Sequence, residues 1–466
     1  MIRRLLVEHG PTLLVATLAS AFGVALLQVT GYLGSAIRAD DVTGESGTAA
    51  LMVQIAAWVF IVIAVYVSAI VTSNTVATVV AGRTRLIALL RLIGSSARAQ
   101  RAAIAREGLV VGAIGAVAGV LVGTAAAMAL AELAVAADVL PRVAHAWADA
   151  AVLAPAVVAA LTTWLAAWVG SRRVLGVRPA EALGNATEAS RDELTARRGR
   201  TAVAAVLAGV GLLLLLAGVA LGLVTPLGVI VGLIGGVLSF TGIVLGAHVV
   251  MPPVLRLVGR ALGSSPAARL AAENAVRHPE RSSRMTIGLV IGVTLVTMFA
   301  VAMESYRTLL LAATEDRPEM RAAIEEMVAA TVTVFSILVG FSALIAAIGL
   351  VNTLSLSVLQ RTRELGLLRA LGFERRQLRA MVVAEAAALA AAATASGLVL
   401  GVFYGWAGAQ SMLGSVQGEP LVIAPSIPWL VVASLVAAAA VLTVVASIAP
   451  ARRATRVSPV TALAIE

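Results

Sequence analysis

Apolar positions in this chain come in long unbroken runs rather than in alternation. Ten runs stand out, at approximately 12–34, 51–74, 105–135, 148–170, 202–223, 226–250, 285–304, 328–352, 379–408 and 427–449. Each is close to the roughly 20 residues that a helix needs to cross a bilayer core. The pattern predicts an all-α polytopic membrane protein with ten transmembrane helices. Continuous runs exclude a membrane β-barrel, whose strands alternate. The third and ninth runs are the longest, which predicts tilted helices or helices that continue past the membrane.

The polar connections are sorted by charge. Thirty of the 35 basic residues fall in segments 1–11, 75–106, 171–201, 251–284, 353–380 and 450–466. The alternate connections hold the other five, Arg38, Arg142, Arg307, Arg317 and Arg321, together with most of the acidic clusters. Basic segments stay in the cytoplasm, so ten spans put both termini there, and MIRRLL opens an uncleaved first span. The net charge of +10 then reports topology and contact with anionic lipid. No nucleic acid is expected as a partner, because no soluble domain carries the charge.

Composition agrees and removes several chemistries. Hydrophobic residues make up 60% and charged residues 13% of the chain, with a mean hydropathy of +0.98. Cysteine is absent, so there is no disulfide or thiolate metal site. Every basic residue is arginine, and a phosphate-binding loop of the GK[ST] type needs a lysine. The chain is therefore expected to be a non-catalytic subunit without a metal or cofactor of its own. The four histidines, His9, His145, His248 and His278, are too scattered for a helical metal pair.

One segment departs from the alternation of spans and plain connections. VNTLSLSVLQRTRELGLLRALGFERR (351–376) leaves an apolar run and becomes a short, arginine-rich amphipathic stretch. Leu365, Leu367, Leu368 and Leu371 make a helical stripe with Arg361, Arg369 and Arg376 away from it, and Gly372 is placed to stop the helix. Such a helix should lie at the cytoplasmic interface, leucines down and charges outward. It has a twin earlier in the chain. Aligned without a gap, Asn74 falls on Asn352, Arg83-Thr84-Arg85 on Arg361-Thr362-Arg363, Arg91 on Arg369 and Gly94 on Gly372. In the same register Arg101 falls on Arg379, Glu107 on Glu385, and Gly119 and Gly123 on Gly397 and Gly401. Further along the register slips by two, and SRRVLGVRPAEAL (171–183) matches ARRATRVSPVTAL (451–463).

These identities predict two parallel four-helix repeats around a central helix pair: 1–183, then 184–269 with cytoplasmic linkers, then 270–466. Gly119, Gly123, Gly397 and Gly401, with Gly232 and Gly236 in the sixth span, carry the GxxxG spacing that lets helices approach closely. Glu107 and Glu385 sit at the cytoplasmic ends of their spans, where pairing with arginine is expected. Trp164, Trp168, Trp406 and Tyr404 are expected as interfacial anchors.

The stretch NTLSLSVLQRTRELGLLRALGFERRQL resembles the signature of FtsX-like permease domains, the membrane subunits of the MacB/LolCDE/FtsEX class of ABC transporters. RRATRVSPVTAL resembles that family's cytoplasmic end. The resemblance covers both four-span halves and leaves out the central pair. It implies a permease of the bacterial cytoplasmic membrane that couples ATP hydrolysis by a separate ATPase to export of a hydrophobic or amphipathic substrate, such as a lipid, peptide or drug. Two ATPase copies, holding the ATP and Mg, would grip the two amphipathic segments. Arg361, Thr362, Arg363, Glu364, Gly366, Arg369 and Gly372 would face one copy, and Arg83, Thr84, Arg85, Arg91 and Gly94 the other. Leu86 stands where the second copy has Glu364, and Ala88 where it has Gly366. The connections at about 35–50 and 305–327 are too short for the large external domain many relatives carry. The alternative is a mechanotransmitting module that controls an external cell-wall hydrolase or lipoprotein, and those short connections offer such a partner little surface.

Overall fold

The computed structural model describes residues 10–39, helical positions scattered between 58 and 76, and residues 84–136, 141–172, 198–261, 279–312, 374–415 and 418–456. Among the described residues all regular structure is helical. The helices are α1 (Gly10–Ala39), α2 (Thr84–Leu92), α3 (Ala97–Ala136), α4 (Leu153–Gly170), α5 (Arg198–Gly222), α6 (Gly228–Leu245), α7 (Ala247–Ala261), α8 (Pro279–Ala312), α9 (Arg375–Leu413) and α10 (Trp429–Arg456). Seven of them, α1, α3, α4, α5, α6, α8 and α9, are long and apolar enough to cross a membrane, and α10 opens with a shorter apolar stretch, Trp429–Val441. This is a multi-pass membrane protein. The expected span at 328–352 lies outside the described residues, and of 51–74 only the scattered helical positions are described.

The chain divides into two compact units, Met1–Ala186 with Met303–Ile345, and Thr187–Ala302 with Ala346–Glu466. In the first, α3 is the centre. Its small residues face two neighbours: Gly108 and Gly112 lie against Ala167 and Thr163 of α4, while Gly119 and Gly123 lie against Ser20, Ala21 and Val24 of α1. A methyl group on Gly123 would stand 2.5 Å from the Ala21 carbonyl oxygen, so the backbones touch there. Ser20 seals the contact by donating from Oγ to the Ala116 carbonyl at 3.0 Å.

The second unit repeats this arrangement in α8 and α9. Gly397 faces Val293 and Thr294, and Gly401 faces Thr294 and Thr297. These glycines are the repeat partners of Gly119 and Gly123, and Val293, Thr294 and Thr297 keep the spacing of Ser20, Ala21 and Val24. The central helices start at matching places too. Ser96 caps α3 by accepting from the Ala99 N–H at 3.1 Å. Glu374, the repeat partner of Ser96, caps α9, and Gln377 Oε1 accepts from the Glu374 N–H at 2.9 Å to close a capping box.

α5 and α6 form a hairpin fastened at glycines spaced at i, i+7. Gly228, Gly235 and Gly242 approach the backbone of α5 at Gly222, Leu215 and Ala208. The GxxxG spacing points to Gly232 and Gly236, but Gly236 meets only the end of Leu215, and Gly232 faces both Gly218 and Ser411 of α9. The i, i+7 series decides this contact, since a GxxxG pair covers barely one turn. The sixth run also ends earlier than expected, because the helix breaks at Gly246 and resumes as amphipathic α7. Tyr404 is no interfacial anchor. It is buried, with its hydroxyl 2.9 Å from Ser239 Oγ of α6.

Candidate functional site

The arginine-rich end of the first unit is built on α2. Ile87 and Ala88 are buried with Val76 and Ala167 of α4, and Ala97 and Ile104 of α3 pack beside them. Ala88 is fully covered, so only a small side chain lets α2 lie this close. The helix stops in a Schellman motif. Ser95 N–H donates to the Leu90 carbonyl at 2.9 Å and Gly94 N–H to the Arg91 carbonyl at 3.1 Å. Gly94 closes the turn at φ +102°, where a side chain is strained. The stop expected at Gly372 is thus seen at its repeat partner, and Gly372 itself lies outside the described residues.

The face of α2 away from this packing is apolar. Leu86 is 54% exposed, Leu89 47%, Leu92 51% and Ile93 81%. The sequence predicts leucines down at the interface for the segment at 361–376, which lies outside the described residues; in its repeat partner α2 three leucines and an isoleucine lie on the open side, where lipid or a partner meets them. The reason is local: Ile87 and Ala88 fill the place beside Ala167, which turns positions 86, 89 and 93 to the other side of the helix.

A bracket holds the platform beneath α2. Arg101 of α3 donates from Nε and Nη2 to the backbone carbonyl of Trp168 at 3.2 and 3.0 Å, and its guanidinium lies 3.8 Å from the centre of the Trp168 ring. Arg172 approaches the same ring at 5.7 Å. In the sequence Trp168 reads as an anchor and Arg101 as one match in the repeat, and their pairing is missed. The available signal is that both stand at the arginine-rich ends of neighbouring spans.

Of the other proposed coupling residues, Thr84 and Arg85 lie on the α2 backbone and Arg91 is half-buried on it. Arg83 and the whole second set, Arg361, Thr362, Arg363, Glu364, Gly366, Arg369 and Gly372, fall outside the described residues. Glu107 is exposed on α3, whereas its repeat partner Glu385 is buried on α9.

At the opposite end of each unit an extended loop joins the long central helix to the next one. In the first unit Tyr32 Oη of α1 donates to the Pro141 carbonyl at 3.0 Å and accepts from the Val143 N–H at 3.4 Å. Gln28 Nε2 donates to the Trp147 carbonyl at 2.8 Å. His145 sits edge-on to both Tyr32 and Trp147. Burial holds its imidazole below the usual histidine pKa, against the opposing pull of Asp149. In the second unit Gln410 of α9 donates from Nε2 to the Leu421 carbonyl and accepts at Oε1 from the Ile423 N–H, both at 2.7 Å.

Comparison with known proteins adds the following. A family model described as FtsX-like permease C-terminal matches residues 58–179 and 336–459, together more than half of the chain. The two matches keep the register of the internal repeat, including its slip by two toward the end. Among curated proteins, the chain is 30% identical over 148 residues to a protein of Bacillus subtilis (strain 168) named "Uncharacterized ABC transporter permease YknZ". The aligned part covers 32% of this chain and 35%, about a third, of that relative.

Proposed function

The chain belongs to the FtsX-like permease family, and from that premise we propose that it is the membrane subunit of an ABC transporter, driven by a separate ATPase. Its arginine-rich end faces the cytoplasm, where two ATPase copies bind ATP and Mg and grip α2 and its repeat partner around 361–372. The cargo is a hydrophobic or amphipathic molecule that enters from the bilayer and is exported. The double match of the family model, in the register of the internal repeat, favours one chain supplying both halves.

The observation that carries this reading is the form of α2: a short, capped helix with an apolar ridge, seated on two spans that Arg101 and Trp168 bracket together. A helix that must pass on the rigid-body closure of a partner has to be stiff, fixed to the spans and adhesive on its free face. The helix has all three properties. Co-purification with candidate ATPases followed by ATP turnover in lipid nanodiscs tests it. Stable complexes whose turnover falls when the ridge is removed support the coupling role, and complexes indifferent to the ridge defeat it. A secreted hydrolase that co-purifies and is activated by ATP would favour the mechanotransmitting alternative.

A further inference from the structure

The helix beyond the break at Gly246 has an open face of its own. α7 buries Ala247, Met251 and Leu255 and packs on α6 and α9. On its other side Val249, Val250, Pro253, Arg256 and Leu257 are exposed, Leu257 at 65%. Residues four apart share a helix face, and Val249, Pro253 and Leu257 continue the exposed line of Ile230, Ile234 and Leu245 on α6. α6 is long and apolar enough to cross the membrane, so that line meets acyl chains. The open face of α7 extends a lipid-facing surface.

The hairpin register shows at what depth the extension lies. Gly228, Gly235 and Gly242 face Gly222, Leu215 and Ala208 of α5, and the same register brings Val250 level with Arg200 in the first turn of α5. Arg200 Nη2 stands 2.9 Å from His248 Nδ1, which fixes the level directly. No acidic or basic residue other than histidine lies between Arg200 and Arg256 in the sequence, so Arg200 marks the edge of the apolar layer. The backbone agrees. Pro252 and Pro253 lack the N–H groups that would serve the carbonyls of His248 and Val249 in a continuous helix. That loss is heavy among acyl chains and small where water reaches.

An apolar ridge, a wet backbone step and positive charge therefore meet in the headgroup layer. Arg256 is exposed with no acidic partner among the described residues, and Arg260 follows it by one turn. A protein partner in water would have to cover a face that runs straight into the bilayer. A phospholipid already reaches both parts, with acyl chain to the ridge and phosphate to the guanidinium.

We propose that the open face of α7 is a binding surface for anionic phospholipid, with acyl chains against Val249, Val250, Pro253 and Leu257 and the phosphate at Arg256. The lipid thereby ties α9, on which α7 packs, to the headgroup layer. The inference takes from the permease reading only which side of the membrane this is, and the lipid contact needs no ATPase.

The chain has no cysteine, so a single fluorophore can be placed at the edge of the face, on Val250→Cys in the full chain. In phosphatidylcholine nanodiscs, equal small amounts of nitroxide-labelled phosphatidylglycerol or phosphatidylcholine are added and their quenching is compared. Each arginine near an anionic surface gives about a fivefold preference. Phosphatidylglycerol should therefore quench several-fold more strongly at Val250→Cys, and without preference at Leu213→Cys, an exposed position in the middle of α5. Arg256→Gln with Arg260→Gln should remove the preference, and the matching double lysine variant should keep it, because a phosphate responds to the charge. Thermal unfolding run beside these checks that each variant folds. Equal quenching by the two lipids at Val250→Cys, or a preference that survives the double glutamine variant, overturns the proposal. So does a label that neither lipid quenches and that a candidate ATPase shields, which would make α7 a protein contact. Failure of any ATPase to bind counts against the coupling reading, and the quenching results stand apart from it.

Discussion

Removing the ridge of α2 should weaken ATPase binding while the protein still folds. In Leu86→Ala with Leu89→Ala, about half of each leucine is open to a partner, at 54% and 47% exposure. Burying a whole leucine side chain contributes about 1.5–3 kcal/mol, so each leaves roughly 1 kcal/mol for docking. The pair gives about 2 kcal/mol, or a loss of about 30-fold in affinity. The half of each side chain already buried is lost as well, so folding should weaken by roughly 1 kcal/mol per leucine. Ile87→Ala is the opposite case. That side chain is 5% exposed, and its loss should cost about 2–5 kcal/mol of stability. The assay is a titration of labelled ATPase against the permease in nanodiscs, with thermal unfolding run in parallel. A dissociation constant unchanged within about threefold, in protein that still unfolds cooperatively, would refute the docking role of the ridge. A drop in Tm equal to that of Ile87→Ala would show the leucines packed within the protein.

Arg101→Lys keeps the charge but loses the fork on the Trp168 carbonyl, so it should recover only part of the roughly 1 kcal/mol lost in Arg101→Ala, read by unfolding and Trp168 fluorescence. Gly94→Ala puts a methyl group at φ +102° and should cost about 1 kcal/mol, seen as faster hydrogen exchange in α2. Gly123→Val drives a side chain at the Ala21 carbonyl, 2.5 Å from the first added carbon, and should cost about 3 kcal/mol, while Gly209→Ala, with nothing within 4 Å in the middle of α5, should raise stability by about 0.5–1 kcal/mol in the same thermal unfolding. His145 is held below its usual pKa by burial, so the folded loop takes up its proton later than the unfolded chain. Stability of the loop is therefore full above pH about 6.5 and falls as the pH drops through the folded value, and Trp147 fluorescence should show that dependence vanish in His145→Gln.

Much of this architecture is legible in the sequence because a bilayer makes demands that composition records. Unbroken apolar runs locate α1, α3, α4, α5, α6, α8 and α9, since a span must be long and apolar whatever it packs against. The permease family is legible because its signature falls on a charged segment that the membrane alone would not require. Which glycine touches which backbone is less legible. The repeat singles out Gly119 and Gly397 but passes over the Gly228, Gly235 and Gly242 series, because in a chain so rich in glycine the spacing alone does not say which face is inward. The outward turn of Leu86 and Leu89 is hidden for a similar reason. Whether a leucine stripe faces lipid, protein or a partner depends on what fills the other side, here Ile87 and Ala88 against Ala167.

The family model matches the chain twice in one register, and the two matched stretches differ in detail while keeping one plan. The contacts that fix the spans are backbone approaches at Gly119 and Gly123, and at Gly397 and Gly401, where almost any side chain would collide. Those positions are not free to diverge. The ends of the repeats are held by single hydrogen-bonding side chains, and the geometry asks only for a group that donates and accepts. Tyr32 on one helix and Gln410 on another both qualify. A homodimer would have to use one solution on both sides. Within a single chain each half can take its own.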